Sequence, residues 1–143
     1  MNAVVYFGGR LRKRSLPVFN GSPPPKAAAP KRLLLAQGEL ANFYDHAEGI
    51  RYLAFLELRA GAIRGNHFHR KKLEHLYLIS GRLLLAAKEN EDGELISLQL
   101  EAGDLATIEP GICHAFEPGE AGQAIEFSPG MFDSADIYKV RVL

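Results

Sequence analysis

The sequence predicts an all-β protein, a sandwich or barrel built from short strands. Three observations carry that prediction. β-rich segments recur at intervals of roughly ten residues, separated by Gly- and Pro-containing turns. One of them, LISLQL (95–100), sets Leu and Ile at 96, 98 and 100 against Ser97 and Gln99, the period-two pattern of a half-buried strand. No stretch repeats apolar residues with the 3.6-residue period of a long amphipathic helix.

Taken in order, AVVYF (3–7) reads as a short strand that pairs with the body or with a neighbouring subunit, or as a disordered piece. GSPPPKAAAPKR (21–32) reads as an extended Pro-rich linker. The globular pattern begins near Leu33, and a short helix or turn is expected at 38–48. RYLAFLEL (51–58) is a strand ending at Ala60-Gly61. HLYLIS (75–80) is a second, ending at Gly81. RLLLAAK (82–88) would suit a helix by composition, but Gly81 on one side and Asn90-Glu91-Asp92-Gly93 on the other make it one arm of a hairpin with 95–100. LATIE (105–109), HAFE (114–117) and AIEFS (124–128) follow as strands, bounded by Gly103-Asp104, Pro110-Gly111 and Pro129-Gly130. The expected organisation is a basic Pro-rich N-terminal arm, 1–32, and a single barrel domain, 33–143.

Composition narrows the class. At 143 residues and 47% hydrophobic, the chain is long enough for one self-sufficient core. A single cysteine excludes an intrachain disulfide framework and Cys-based zinc or iron–sulfur sites. No run reaches ~18 apolar residues, so no membrane helix is expected. No apolar leader follows a basic start, and the expectation is a cytoplasmic protein. The net charge of zero hides an asymmetry. Residues 1–32 hold Arg10, Arg12, Lys13, Arg14, Lys26, Lys31 and Arg32 with no acid, leaving the rest at −7. The basic run 10–14 has no interleaved aromatics for base stacking, so the segment is expected to lie over the protein's own acidic surface or a second subunit, not over nucleic acid.

The chemistry concentrates in His67, His69, Glu74 and His114. His67 and His69 stand at i and i+2, which on a strand places both side chains on one face. Glu74 and His114 each open a later strand, and in a closed barrel the three strand starts converge. Three imidazoles and one carboxylate suit a divalent transition metal: Fe, Mn, Ni, Co, Cu or Zn.

The flanking residues give the cluster a signature. The chain reads Gly61-x5-His67-x-His69-x4-Glu74-x6-Gly81, then Gly103-Asp104-x5-Pro110-Gly111-x2-His114. This two-part pattern resembles that of the cupin superfamily over about residues 50–128. It departs at Glu109, where proline is usual, and at Pro118, where asparagine is frequent; neither is a metal ligand. The resemblance implies a cupin-type double-stranded β-helix, or jelly-roll barrel, with those four residues as ligands. RGNHFHR (64–70) and EFSPGMFDSADIYKV (126–140) are further similar to small cupins of nucleotide-sugar and capsular polysaccharide biosynthesis.

Around the ligands, Phe116, Leu76 and Leu78 are expected to share the barrel interior by alternation. Arg64, Asn66 and Phe116 are the candidate substrate-binding residues, Arg64 as a bidentate partner for an anionic group. Glu126 and Tyr77 are the candidate catalytic residues. Cys113 and His75 should point away from the metal, and Arg70-Lys71-Lys72 should be exposed. The resemblance implies a small-molecule substrate and either metal-assisted isomerisation or epimerisation of a carbohydrate, Fe(II)-dependent dioxygenation, or sugar binding without turnover. A homodimer is expected because open sheet edges need cover.

Overall fold

A computed structural model describes residues 2–21 and 30–143; the remainder, including most of the Pro-rich linker, lies outside the described residues. Twelve strands run through the described chain: β1 (Asn2–Tyr6), β2 (Leu11–Ser15), β3 (Val18–Asn20), β4 (Lys31–Leu35), β5 (Gly38–Asn42), β6 (Tyr52–Leu58), β7 (Arg64–Phe68), β8 (Glu74–Lys88), β9 (Ile96–Glu101), β10 (Asp104–Ile108), β11 (Cys113–Ser128) and β12 (Tyr138–Lys139). One 3-10 turn, Phe7–Gly9, is the sole helical element among them. The fold is a jelly roll, as the strand pattern predicts.

Its frame is the antiparallel pair β8–β11. Near one end, residues 75–80 of β8 pair with 123–127 of β11; near the other, 82–88 pair with 113–120. The first half extends through β10, β2 and β1 on one side and β6 on the other. The second half extends through β9 on one side and β7 and β12 on the other. The two long strands thus pass from one layer to the next, and the register slips where they do, between Pro118 and Ala124. The sequence marks Gly81 as a strand end; instead β8 continues through it with φ +89°. The inward residues are Leu76 and Leu78 before it and Leu83, Leu85 and Ala87 after it, so the alternation changes phase at the corner. Leu58, Leu98, Leu100, Ala106, Ile108, Ile112, Phe116 and Ala124 complete this core. Burial on both faces explains why the Leu- and Ala-rich RLLLAAK is a strand and not a helix: Ala86, on the other face, is buried as well.

The described residues of the N-terminal segment add strands to both sheets. β2 sits inside the main sheet between β1 and β10, pairing with Asp104–Ile108 in full register, and Leu11 is wholly buried. β1 pairs with β2 of its own chain. The positive charges meet the body's own acids: Arg12 and Glu109 lie 2.6 Å apart, Arg32 and Glu39 2.8 Å, and Lys13 and Asp104 3.7 Å. The sequence hides β2 because LRKRS has one apolar residue and takes its strand form from its neighbours. Residues 38–42, expected as helix or turn, form β5 in a second, three-stranded sheet with β4 and β3.

The corner where β8 and β11 change layers has no room for side chains. A Cβ on Gly122 would run into the Ser80 carbonyl, and one on Gly81 would stand 2.8 Å from the Ala121 carbonyl. Gly122→Ala should therefore cost at least about 2 kcal/mol of unfolding free energy. Gly49→Ala, where a Cβ meets nothing within 4 Å, should leave denaturant midpoint and melting temperature unchanged. Equal midpoints for the two variants would contradict this account of the corner.

Candidate metal centre and active site

The four residues His67, His69, Glu74 and His114 come from three different segments and meet at one point. One ligand atom from each lies within 4.8 Å of the others. β7 carries His67, and His69 follows its end. β8 opens with Glu74, and His114 is the second residue of β11. The antiparallel register sets His114 opposite His67. Just before His67 the strand bulges: Gly65 and Asn66 have φ of +91° and +56°, and the pairing with β11 slips. A Cβ on Gly65 would lie 2.9 Å from the His114 carbonyl, so only glycine lets β7 approach this closely.

The tautomers follow from backbone acceptors. The Nδ1–H of His69 donates to the Asp136 carbonyl at 2.7 Å, and that of His114 donates to the Ile112 carbonyl at 3.0 Å. A carbonyl only accepts, so each Nδ1 holds the proton and each neutral ring turns a bare Nε2 lone pair inward. Both Nε2 atoms are buried without a hydrogen-bond partner. They stand 3.5 Å and 3.6 Å from the two oxygens of Glu74. Neutral nitrogens and a carboxylate packed in this way leave lone pairs facing lone pairs, and a cation resolves the conflict. The candidate cations are a proton and a metal ion. Burial disfavours the Glu74 charge, yet His114, His69 and Lys72 together outweigh it and hold the carboxyl well below the usual range. Burial likewise lowers the His114 imidazolium, and Glu74 more than reverses it. His67 is pushed down to about 4 by burial, then by its neighbours His114 and His69, and is neutral at pH 7. The donor set fits a divalent transition metal, with imidazole nitrogens and a carboxylate in a closed site.

Beside the cluster is a second pair of charges. Lys72, expected on an exposed connection, has only 14% of its side chain exposed and turns inward. Its ammonium lies 2.5 Å from Glu126 Oε1, 3.5 Å from Glu74 Oε1 and 4.7 Å from the Tyr52 ring centre. Glu126 is raised above the usual carboxylate value, by burial first and Glu74 second, against the pull of Lys72. Asp136 directs the turn that delivers Lys72. Its carboxylate accepts the backbone N–H groups of Arg70 at 2.8 Å, Lys71 at 3.1 Å and Lys72 at 3.1 Å. Neither Lys72 nor Asp136 carried a signal in the sequence, since both act through contacts with distant segments.

A cavity of about 130 Å³ opens beside the ligands, lined by Leu56, Arg64, His67, Glu74, Leu76, Phe116 and Glu126, with Gly65. The structure therefore brings Arg64, Phe116 and Glu126 to the cavity that His67 and Glu74 of the cluster also line. It places two other candidates elsewhere. Tyr77 lies on the opposite face of β8 from Glu74 and Leu76, because strand neighbours alternate; it stacks on Phe43 at 4.2 Å and packs with Leu16, Leu105 and Phe127. Asn66 points away from the cavity: its Oδ1 accepts the N–H groups of Val142 and Leu143, both at 2.9 Å, and holds the C-terminal segment against β7. His75 and Cys113 face away from the ligands as expected, His75 against Thr107 Oγ1 at 2.9 Å and Cys113 in the packing of Ala86 and Val140.

Asp136 links the Lys72 turn to His69, which makes a sharp test. Burial pushes its carboxyl up, and the three backbone donors outweigh that and hold it below the ordinary value of 3.8. A depressed folded value means the stabilisation is complete above about 3.8 and disappears as pH falls through the folded value. Asp136→Asn should lose about 2 kcal/mol at pH 7, show a flatter loss of stability below pH 4, and weaken divalent-metal affinity about 10- to 100-fold. Denaturant titration at several pH values with metal titration checks all three.

Several solved structures share this fold. The capsular polysaccharide assembling protein CapF of Staphylococcus aureus matches at 24% identity over 64% of this chain with a TM-score of 0.58; this chain spans only 27% of that protein. A dTDP-4-dehydrorhamnose 3,5-epimerase from Sulfolobus tokodaii matches at 17% identity over 91% of this chain and 76% of its own, TM-score 0.70. The sugar 3,4-ketoisomerase QdtA of Thermoanaerobacterium thermosaccharolyticum, solved with TDP, matches at 14% identity over 91% and 88%, TM-score 0.69. Comparison with curated protein sequences finds no match. The family model of the polysaccharide biosynthesis C-terminal domain matches residues 36–125, which run from β5 into β11 and include all four clustered ligands. On that match, over more than half its length, this chain belongs to the polysaccharide biosynthesis C-terminal domain family.

Proposed function

We propose that this protein is a cupin enzyme that isomerises or epimerises a keto-sugar carried on a nucleotide, with one divalent transition metal held by His67, His69, Glu74 and His114. The observation that carries the reading is the adjacency of two units: a His/Glu cluster with two bare, buried Nε2 atoms, and a Glu126–Lys72 pair whose carboxylate lines a cavity together with His67 and Glu74 of that cluster. Sugar epimerases and ketoisomerases among the structural neighbours, and the family's place in polysaccharide biosynthesis, support the choice of substrate class.

Such a reaction moves a proton at the carbon next to a carbonyl, through an enediolate-like state. A bound divalent ion would supply Lewis-acid stabilisation of negative charge on the substrate oxygen. Glu126 is placed to take the proton from carbon: it faces the cavity, and burial beside Glu74 raises its basicity. Lys72 donates to Glu126 and holds the carboxylate in one orientation. In isomerisation Glu126 returns the proton to the former carbonyl carbon while the hydroxyl proton passes to the former carbonyl oxygen; in epimerisation Glu126 keeps the proton and a water on the far face protonates the same carbon. Leu56, Leu76 and Phe116 exclude water around the reacting end. Arg64 at the cavity edge, its Nη2–H now donating to the Glu57 carbonyl at 2.9 Å, is available to an anionic group of the nucleotide.

Two measurements test the proposal. Untagged protein purified without added metal should hold close to one equivalent of divalent metal, and His69→Ala and Glu74→Gln should reduce it to a small fraction while the fold persists. With TDP-4-keto-6-deoxyglucose, the ligand of one structural neighbour, the protein should wash solvent deuterium into the carbon next to the carbonyl. Glu126→Gln should slow that exchange at least about 100-fold while leaving metal content intact. A metal-loaded protein that exchanges no proton of any nucleotide-linked keto-sugar would reject the enzymatic reading and leave a binding module.

A further inference from the structure

The three imidazoles of the cluster are oriented in two different ways. His69 and His114 each give a ring N–H to a backbone carbonyl, which fixes the rotation of the ring. The His67 ring makes no hydrogen bond among the described residues. It touches the other two rings, with centroids 4.6 Å from His69 and 4.9 Å from His114. Its direction therefore depends on the backbone that carries it. Asn66, the residue before it, has φ +56°, in the left-handed region where asparagine is one of the few residues with a side chain that is accommodated.

Segment 140–143 holds Asn66 in place. Its Oδ1 accepts the N–H groups of Val142 and Leu143, both at 2.9 Å, and its Nδ2 donates to the Leu143 backbone oxygen at 3.3 Å. Its own carbonyl accepts the Val140 N–H at 3.0 Å. Just before this segment, β12 pairs Lys139 with His67 and Tyr138 with Phe68, and the Tyr138 and Phe68 rings stack at 5.1 Å. Val140 and Val142 are buried against Ala86, Cys113 and Ala115. Cys113 and Ala115 flank His114 in the chain and face the other side of β11 by alternation. Segment 140–143 thus backs, from outside the barrel, the paired positions whose inner sides carry His67 and His114.

An asparagine here meets two separate demands. Glycine would suit the left-handed backbone as well, but only an amide side chain both accepts two backbone N–H groups and donates to a third group. We propose that Asn66 is a positioning residue for His67: its side chain latches segment 140–143 onto β7 and so fixes the angle at which His67 enters the His/Glu cluster. The inference rests on the reading of that cluster as a divalent-metal site. Metal binding and docking of the segment are then coupled, and the coupling is reciprocal. The latch strengthens metal binding by the same factor by which bound metal strengthens the latch.

Two measurements on the full chain test the coupling: Co²⁺ titration followed by visible absorption, and hydrogen exchange of segment 140–143 with and without Co²⁺. Asn66→Gly keeps the left-handed backbone and removes the amide, and it should bind Co²⁺ about tenfold more weakly than wild type. Asn66→Asp keeps the acceptor for Val142 and Leu143 and should recover the affinity to within about threefold of wild type. In the wild-type chain, bound Co²⁺ should slow exchange of the Val142 and Leu143 amides about tenfold. That comparison uses the wild-type chain alone and does not depend on any variant folding, while circular dichroism checks that each variant is folded. A latch that serves stability alone would lower the melting temperature of Asn66→Gly and leave both its Co²⁺ affinity and the wild-type exchange response unchanged. Either unchanged reading overturns the proposal, as does an Asn66→Asp affinity no better than that of Asn66→Gly. A wild-type chain that takes up no Co²⁺ would reject the metal site itself and this inference with it, whereas equal Co²⁺ affinity in wild type and Asn66→Gly rejects the latch alone.

Discussion

Everything in this molecule hangs on the antiparallel pairing of β8 with β11. The two strands are the longest in the chain, at 15 and 16 residues, and each contributes to both layers of the jelly roll. Their corner at Gly81 and Gly122 fixes which residues of each half face inward. That phase determines that Glu74 at the start of β8 and His114 at the start of β11 open onto the same interior as Leu76, Leu85 and Phe116. The site is a product of strand register. A slip of one residue in either strand would turn a ligand outward and Cys113 or His75 inward.

The interior so defined is apolar except at one end, where titratable groups crowd together. Glu74 is the pivot of that region. It faces Nε2 of His69 and of His114 on one side and the Lys72 ammonium on the other, and it raises Glu126 by repulsion. Such a group is tolerated in a buried site only when its charge is compensated. The local environment also divides the labour between two carboxylates of the same type. Glu74, surrounded by imidazoles, is held ionised, whereas Glu126, at the other end of Lys72, is made more basic. Environments that push like groups apart are a recurrent feature of sites that transfer protons.

How much of this could be read from residues alone depended on whether a feature is local. Spacing carried the pairing of His67 with His69, because an i, i+2 pair on a strand shares a face whatever the rest of the fold does. Period-two alternation and turn residues carried β6, β9 and β10. The same alternation carried the inward positions of Leu76, Leu78 and Phe116. It should also have removed Tyr77, whose odd number on β8 sets it opposite Glu74. Asn66 could not have been excluded in this way, since its side chain is occupied by the N–H groups of Val142 and Leu143, far along the chain. β2 escaped because four of its five residues are polar or charged and only pairing with β10 makes it a strand. Lys72 escaped for a similar reason: a lysine in a basic tripeptide reads as solvated unless its distant partner Glu126 is known.

The Asp136 clamp has a kinetic meaning as well as a geometric one. His67, His69 and Glu74 are neighbours in sequence, but the carbonyl that orients His69 and the carboxylate that shapes the Lys72 turn arrive from more than sixty residues away. Closing a loop of that length belongs to the slow, non-local part of folding. The His/Glu cluster is thus completed only when the chain closes over more than sixty residues. The amide protons of Arg70, Lys71 and Lys72, each donated to Asp136, report on that closure, because their protection from exchange depends on it.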